Sequence, residues 1–178
     1  MKMQGRYHLW LPRPTSLVLS PYHHMGEPDI IMPNLITDEG LEDMMKSWLQ
    51  NVSVVAGAAN YYIGMCNQTP AAGDGIADIT SEPTAGVGGY ARQAIPRSAV
   101  GWPTFTTVNG FPALRSTTET FTASGAAFSA AFTRLFLTDA VAGAATKLFS
   151  YSGALTVAVT VPDGQSFQAQ YEIIGLSG

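Results

Sequence analysis

Charge is what this sequence has least of. Only 12% of its 178 residues are Asp, Glu, Lys or Arg, about half the usual share of a globular protein. Thirteen acids against nine bases leave a net charge of −4. A binder that works by neutralising phosphates needs a strongly basic face, so that class of function is excluded. Cysteine is nearly absent too. Cys66 is the single one, which forbids an intrachain disulfide framework. It lies in Tyr61-Tyr62-Ile63-Gly64-Met65-Cys66, a run that reads as a buried strand, and a small buried hydrophobe explains it better than a nucleophile. No apolar run approaches the 18 or so residues of a membrane helix, so no membrane partner is expected. The basic start Met1–Arg6 is followed by Leu9-Trp10-Leu11, which Pro12 and Pro14 break at once. That is too short for the apolar region of a signal peptide, and the chain reads as made in the cytoplasm without standard export.

What is present is core material. Hydrophobic residues make up 46%, with eight Phe, seven Tyr and three Trp, which argues against disorder. Residues 1–36 stand apart: Pro12, Pro14, Pro21, Pro28 and Pro33 recur among Trp10, Leu17, Leu19, Tyr22, Ile30 and Ile31. Proline at that density prevents a helix and removes donors needed inside a sheet, yet the segment is too apolar for a solvated linker. It reads as an extended arm docked on another surface, its own domain or a neighbouring subunit. The six apolar residues just named are its candidate assembly contacts.

Residues 37–50 form the one convincing helix. Thr37 or Asp38 can cap it, the acids Asp38, Glu39, Glu42 and Asp43 crowd its positive end, and Leu41, Met44, Met45, Trp48 and Leu49 make one apolar stripe. From residue 51 to 178 the pattern is β. Candidate strands are Val52–Val55, Asn60–Cys66, Gly89–Ile95, Thr104–Val108, Phe111–Arg115, Thr120–Thr122, Phe128–Leu137, Leu155–Val161 and Ser166–Ile173. Asn109-Gly110 is the dipeptide that best fits a two-residue hairpin turn, and Pro162-Asp163-Gly164 turns the chain again. The Ala- and Gly-rich stretch 140–145 reads as a loop. Seven to nine short strands parted by turn signals predict a mainly β fold, an antiparallel sandwich or jelly roll behind the arm and the helix.

Chemistry-bearing patterns are scarce. His8, His23 and His24 all fall in the proline-broken segment. Adjacent histidines in an extended chain face opposite ways, and no HxH, HExxH or Cys-containing ligand set exists. Gly73-Asp74-Gly75 lacks the spaced oxygen ligands of a calcium loop and reads as a turn. Gly86-Val87-Gly88-Gly89 lacks the Lys-Ser/Thr of a phosphate loop. No Ser stands in a Gly-x-Ser-x-Gly setting, and spacing alone does not pair the sparse carboxylates as a glycosidase needs. Asn51-Val52-Ser53 and Asn67-Gln68-Thr69 match glycosylation acceptors by coincidence, given no secretion signal. No cofactor or metal is expected, and no catalytic set.

One family pattern does emerge. Ile76-Ala77-Asp78-Ile79-Thr80-Ser81-Glu82-Pro83 precedes Gly89-Tyr90-Ala91-Arg92-Gln93, with Phe136-Leu137-Thr138-Asp139 later and Asn34-Leu35-Ile36-Thr37-Asp38-Glu39-Gly40 before. Over roughly residues 34–178 this resembles small virion structural proteins of tailed bacteriophages, whose recurring text is "D-hydrophobic-T-E-P", then "GYARQ", then an "FLTD"-like strand. Ser81, inserted between Thr80 and Glu82, departs from it, as does the proline-rich segment. The resemblance implies a non-enzymatic β protein of the virion. Its leading form is a trimeric decoration or cement protein contacting the major capsid protein, with a neck, tail or fibre component as the alternative. A carbohydrate-binding or hydrolysing β-sandwich at the host surface is a third reading, although Trp10, Trp48 and Trp102 are too scattered for a sugar platform. Within the motif, an ion pair of Arg92 with Asp78 or Glu82 would fix the loop between them, with Tyr90 on the same strand face beside Arg92.

Overall fold

A computed structural model of the chain describes residues 2–10, 30–37, 59–108, 110–143 and 147–176. They form a mainly β fold of two antiparallel sheets packed as a sandwich. The strands are β1 (Lys2–Trp10), β2 (Ile30–Ile36), β3 (Asn60–Cys66), β4 (Gln93–Pro96), β5 (Thr104–Val108), β6 (Phe111–Arg115), β7 (Glu119–Thr122), β8 (Arg134–Thr138), β9 (Leu148–Ser152) and β10 (Ser166–Leu176). Hydrogen bonding runs in the order β4-β3-β8-β9-β2-β1-β10-β6-β5, with β7 also paired to β10.

Strand β2 joins the two sheets. Its Ile30–Pro33 half pairs with β1 and its Asn34–Ile36 half with β9. Pro33 therefore sits at the hand-over, where a missing N–H costs a ladder least. For the described ends of residues 1–36, the surface on which the expected extended arm docks is the chain's own domain. Both ends of that segment are extended, but they are interior strands: β1 pairs along its whole length with β10, from Lys2↔Leu176 to Trp10↔Gln168. The backbones of Trp10, Ile30 and Ile31 thus lie within the chain's own sheet. Leu17, Leu19, Tyr22, the expected helix beyond Thr37 and the expected strand Val52–Val55 lie outside the described residues.

The alternation of each strand explains the core. From one sheet Tyr7, Leu9, Phe167, Ala169 and Tyr171 point inward; from the other Ile63, Met65, Leu135, Leu137 and Phe149 meet them. Aromatic rings carry the contact: Phe121 stacks on Phe167 at 4.7 Å, and Trp102 stands edge-on to both Tyr61 and Tyr171, bridging the sheets. Trp102 is partly buried and packs against this core. The β5–β6 hairpin forms as its Asn-Gly turn predicts, with Val108 opposite Phe111 and Gly110 at φ +82°.

Three expected strands change. Gly89–Ile95 is strand only from Gln93 on. Phe128–Leu137 is extended in the sheet only from Arg134 on, and Leu155–Val161 forms no strand but a single bridge of Val159 to Phe132. Conversely β9, Leu148-Phe149-Ser150-Tyr151-Ser152, is wholly buried.

Candidate functional site

The second sheet has a second covered face. Cys66, Phe136, Leu148 and Tyr151 point away from the main core and pack instead under Ile76 and Ile79 of the long 67–92 loop. Burial pushes the Cys66 thiol up to about 11, so it is an inert packing group. Gly64 on β3 lies opposite Phe136 on β8, and a Cβ there would run into the Phe136 ring. The ring lies over the bare glycine and carries the Arg92 guanidinium 5.3 Å from its centre.

Arg92 is the centre of the site. It is buried, immediately before β4, and every arm of its guanidinium is used. Nε donates to Glu82 Oε1 at 2.8 Å and Nη2 to Glu82 Oε2 at 2.6 Å. Nη1 donates to the Ala140 carbonyl and Nη2 also to that of Gly143, both at 3.1 Å. Tyr90 completes the set: its hydroxyl donates to Glu82 Oε1 at 2.7 Å and accepts from the Met65 N–H at 3.2 Å. Burial, and then the neighbouring Glu82 carboxylate, drive the Tyr90 phenol far above its ordinary range, so it stays protonated and donating. Through Arg92 and Tyr90, one carboxylate thereby ties three stretches together: the 67–92 loop, the 140–143 loop and the C-terminal end of β3.

Of the two acids expected to meet Arg92, the structure selects Glu82. Asp78 does other work: its carboxylate accepts the Gly75 N–H at 2.9 Å and closes the 3-10 turn Ile76–Asp78. Tyr90 and Arg92 are not strand residues. They follow the 3-10 turn Val87–Gly89, in which Gly88 has φ +63° and a Cβ would lie 2.6 Å from the Ala127 carbonyl oxygen. The turn, not a pleat, aims both side chains at Glu82.

Gln68 is the residue that the sequence did not point to. Its Oε1 accepts from the Thr80 and Ser81 N–H groups at 2.7 and 3.0 Å, and its Nε2 donates to the Asp78 carbonyl. Ser81 fits the same knot: its hydroxyl donates to Gln68 Oε1 and accepts the Asn67 N–H. Asp74 accepts the Ala71 N–H at 2.7 Å, as a turn residue does.

A second buried charge cluster crosses the other sheet. Glu172 on β10 is fully buried and receives Arg115 Nε and Nη2 on Oε2 at 2.9 and 2.5 Å, while His8 Nε2 stands 3.4 Å from Oε1. The register produces it: Arg6, Glu172 and Arg115 lie directly across from one another on β1, β10 and β6. Burial lowers the His8 pKa, against the pull of Glu172.

Among the described residues no group of three His, Cys, Asp or Glu side chains could hold a metal ion, and no helix is long and apolar enough to cross a membrane. No family model and no curated protein matches the sequence. Every polar group of the Arg92 site already has a partner within the chain. The chemistry this arrangement performs is holding loops, through charge-assisted bonds sheltered from water.

Proposed function

We propose that the chain is a non-enzymatic structural protein of a tailed-phage virion that self-associates and decorates the head. The observation that carries the reading is the Glu82–Tyr90–Arg92 contact set. Glu82, Tyr90 and Arg92, three residues of the phage-like text, meet in space, which supports reading that text as a structural element. A catalytic carboxylate needs a free face toward substrate, whereas both oxygens of Glu82 are spent on Arg92 and Tyr90.

The surface supports the same reading. While Glu82 and Arg92 turn toward each other, Val100, Phe105, Val141 and Val157 stand 63–75% exposed. In a body with so few charges such a surface suits permanent neighbours, because long charged side chains would add entropy and desolvation costs at each contact.

The test is co-sedimentation of the purified chain with DNA-free head shells and, separately, with tails. Saturable binding to heads alone is the expected result. Binding to tails alone moves the protein to a neck, tail or fibre position, and binding to neither overturns the reading.

A further inference from the structure

Among the described residues strand β5 ends the sheet, and no strand pairs with its outer edge. Its register with β6 runs Thr104↔Arg115, Phe105↔Leu114, Thr106↔Ala113, Thr107↔Pro112 and Val108↔Phe111. Val108 and Phe111 flank the two-residue turn and are the closing hydrogen-bonded pair, so bonded pairs alternate from there. Val108, Thr106 and Thr104 direct their backbone groups inward to β6. Pro112, with no N–H to give, sits opposite Thr107, at a non-bonded position as the alternation requires. The N–H and C=O of Phe105 and Thr107 therefore point outward, and among the described residues no strand pairs with them.

Edges of this kind are normally blunted by charge, proline or a bulge. Thr104-Phe105-Thr106-Thr107-Val108 has none of these within it and is rich in β-formers. Phe105 is 75% exposed and continues an apolar row, Ile173–Leu114–Phe105, that runs across β10, β6 and β5 on the core-facing side.

We infer that β5 pairs antiparallel with β5 of a second copy of this chain, about a two-fold axis at Thr106. The fit is self-complementary. Phe105 of each copy faces Thr107 of the other, and each such pair exchanges two N–H···O bonds, so all outward groups of Phe105 and Thr107 in both copies are used. The strand carries no charged side chain, so two copies meet without repulsion, whereas an acidic or basic strand would find nothing to pair with. This contact does not rest on the virion reading: it concerns two copies in solution and stands or falls without any particle.

The register makes a sharp test. Across the axis the two Thr106 residues form a non-bonded pair with Cα atoms about 4.5 Å apart, within reach of a disulfide. Thr104, by contrast, faces Val108. In mild oxidant the Thr106→Cys chain should give a cross-linked dimer on a non-reducing gel, at least tenfold faster than Thr104→Cys; the native Cys66 is buried and does not compete. Phe105→Lys, at an exposed site, should leave thermal unfolding unchanged and weaken self-association at least tenfold by light scattering. Equal cross-linking of the two cysteine variants, unchanged self-association of Phe105→Lys, or a parent chain that is monomeric at every concentration overturns the proposal.

Discussion

Glu82 and Arg92 stand ten residues apart in the chain and meet through two parallel hydrogen bonds of 2.8 and 2.6 Å, with only 5% of the Arg92 side chain exposed. The pair fixes a loop that would otherwise leave Cys66, Phe136, Leu148 and Tyr151 open to water.

Removing one partner strands the other. Arg92→Met or Glu82→Leu should each cost about 3 kcal/mol, the usual penalty for an orphaned buried charge. That lowers Tm by roughly 6–12 °C in a domain of this size. The double variant should be more stable than the sum of the two losses predicts, read by calorimetry as a double-mutant cycle. Arg92→Lys, which keeps the charge and loses the fork, should fall between the parent and Arg92→Met.

Gly64→Ala should destabilise the fold by about 1–3 kcal/mol, because the new methyl meets the Phe136 ring and a packed core yields little. Phe136→Leu in the same chain should recover part of the loss, since it frees the space above β3. Denaturant unfolding of the three variants checks this.

Gln68→Ala should loosen the loop locally. Hydrogen exchange at Thr80 and Ser81, whose N–H groups it accepts, should accelerate at least tenfold. Exchange at Met65 and Leu135 in the sheet should stay as in the parent.

Stability should fall as pH drops below the ordinary histidine value of 6.5, in part through His8. Its folded pKa is lowered, so the unfolded chain binds the proton first. The stabilising contribution is then fully present above 6.5 and is lost as the pH falls toward the folded value. Replacing it, as His8→Gln, should flatten the difference in unfolding free energy between pH 7.5 and 5.0.

The Glu82–Arg92 pair was legible because opposite charges close in sequence stand out in a chain so poor in charge. Choosing Glu82 over Asp78 was not legible, since it depends on the Val87–Gly89 turn. Strand β9 was hidden by Ser150 and Ser152, polar residues that interrupt an apolar run. Both are buried and satisfied, Ser150 by the Tyr7 hydroxyl at 2.9 Å and Ser152 by the Leu135 N–H and the Gly153 carbonyl. Strand β1 was not legible, because its partners on β10 lie more than 150 residues away and no local pattern names them. Leu155–Val161 alternates like a strand but lacks a ladder beyond the one bridge, and Val157 remains exposed.

The central claim is a place on the outer surface of a phage head. A cryo-EM map of the particle that carries this chain tests it most directly. The account predicts density on the capsid exterior that accepts the two-sheet sandwich, with the Glu82–Arg92 loops ordered. A head surface bare of that density, with the protein absent from the particle, would contradict it.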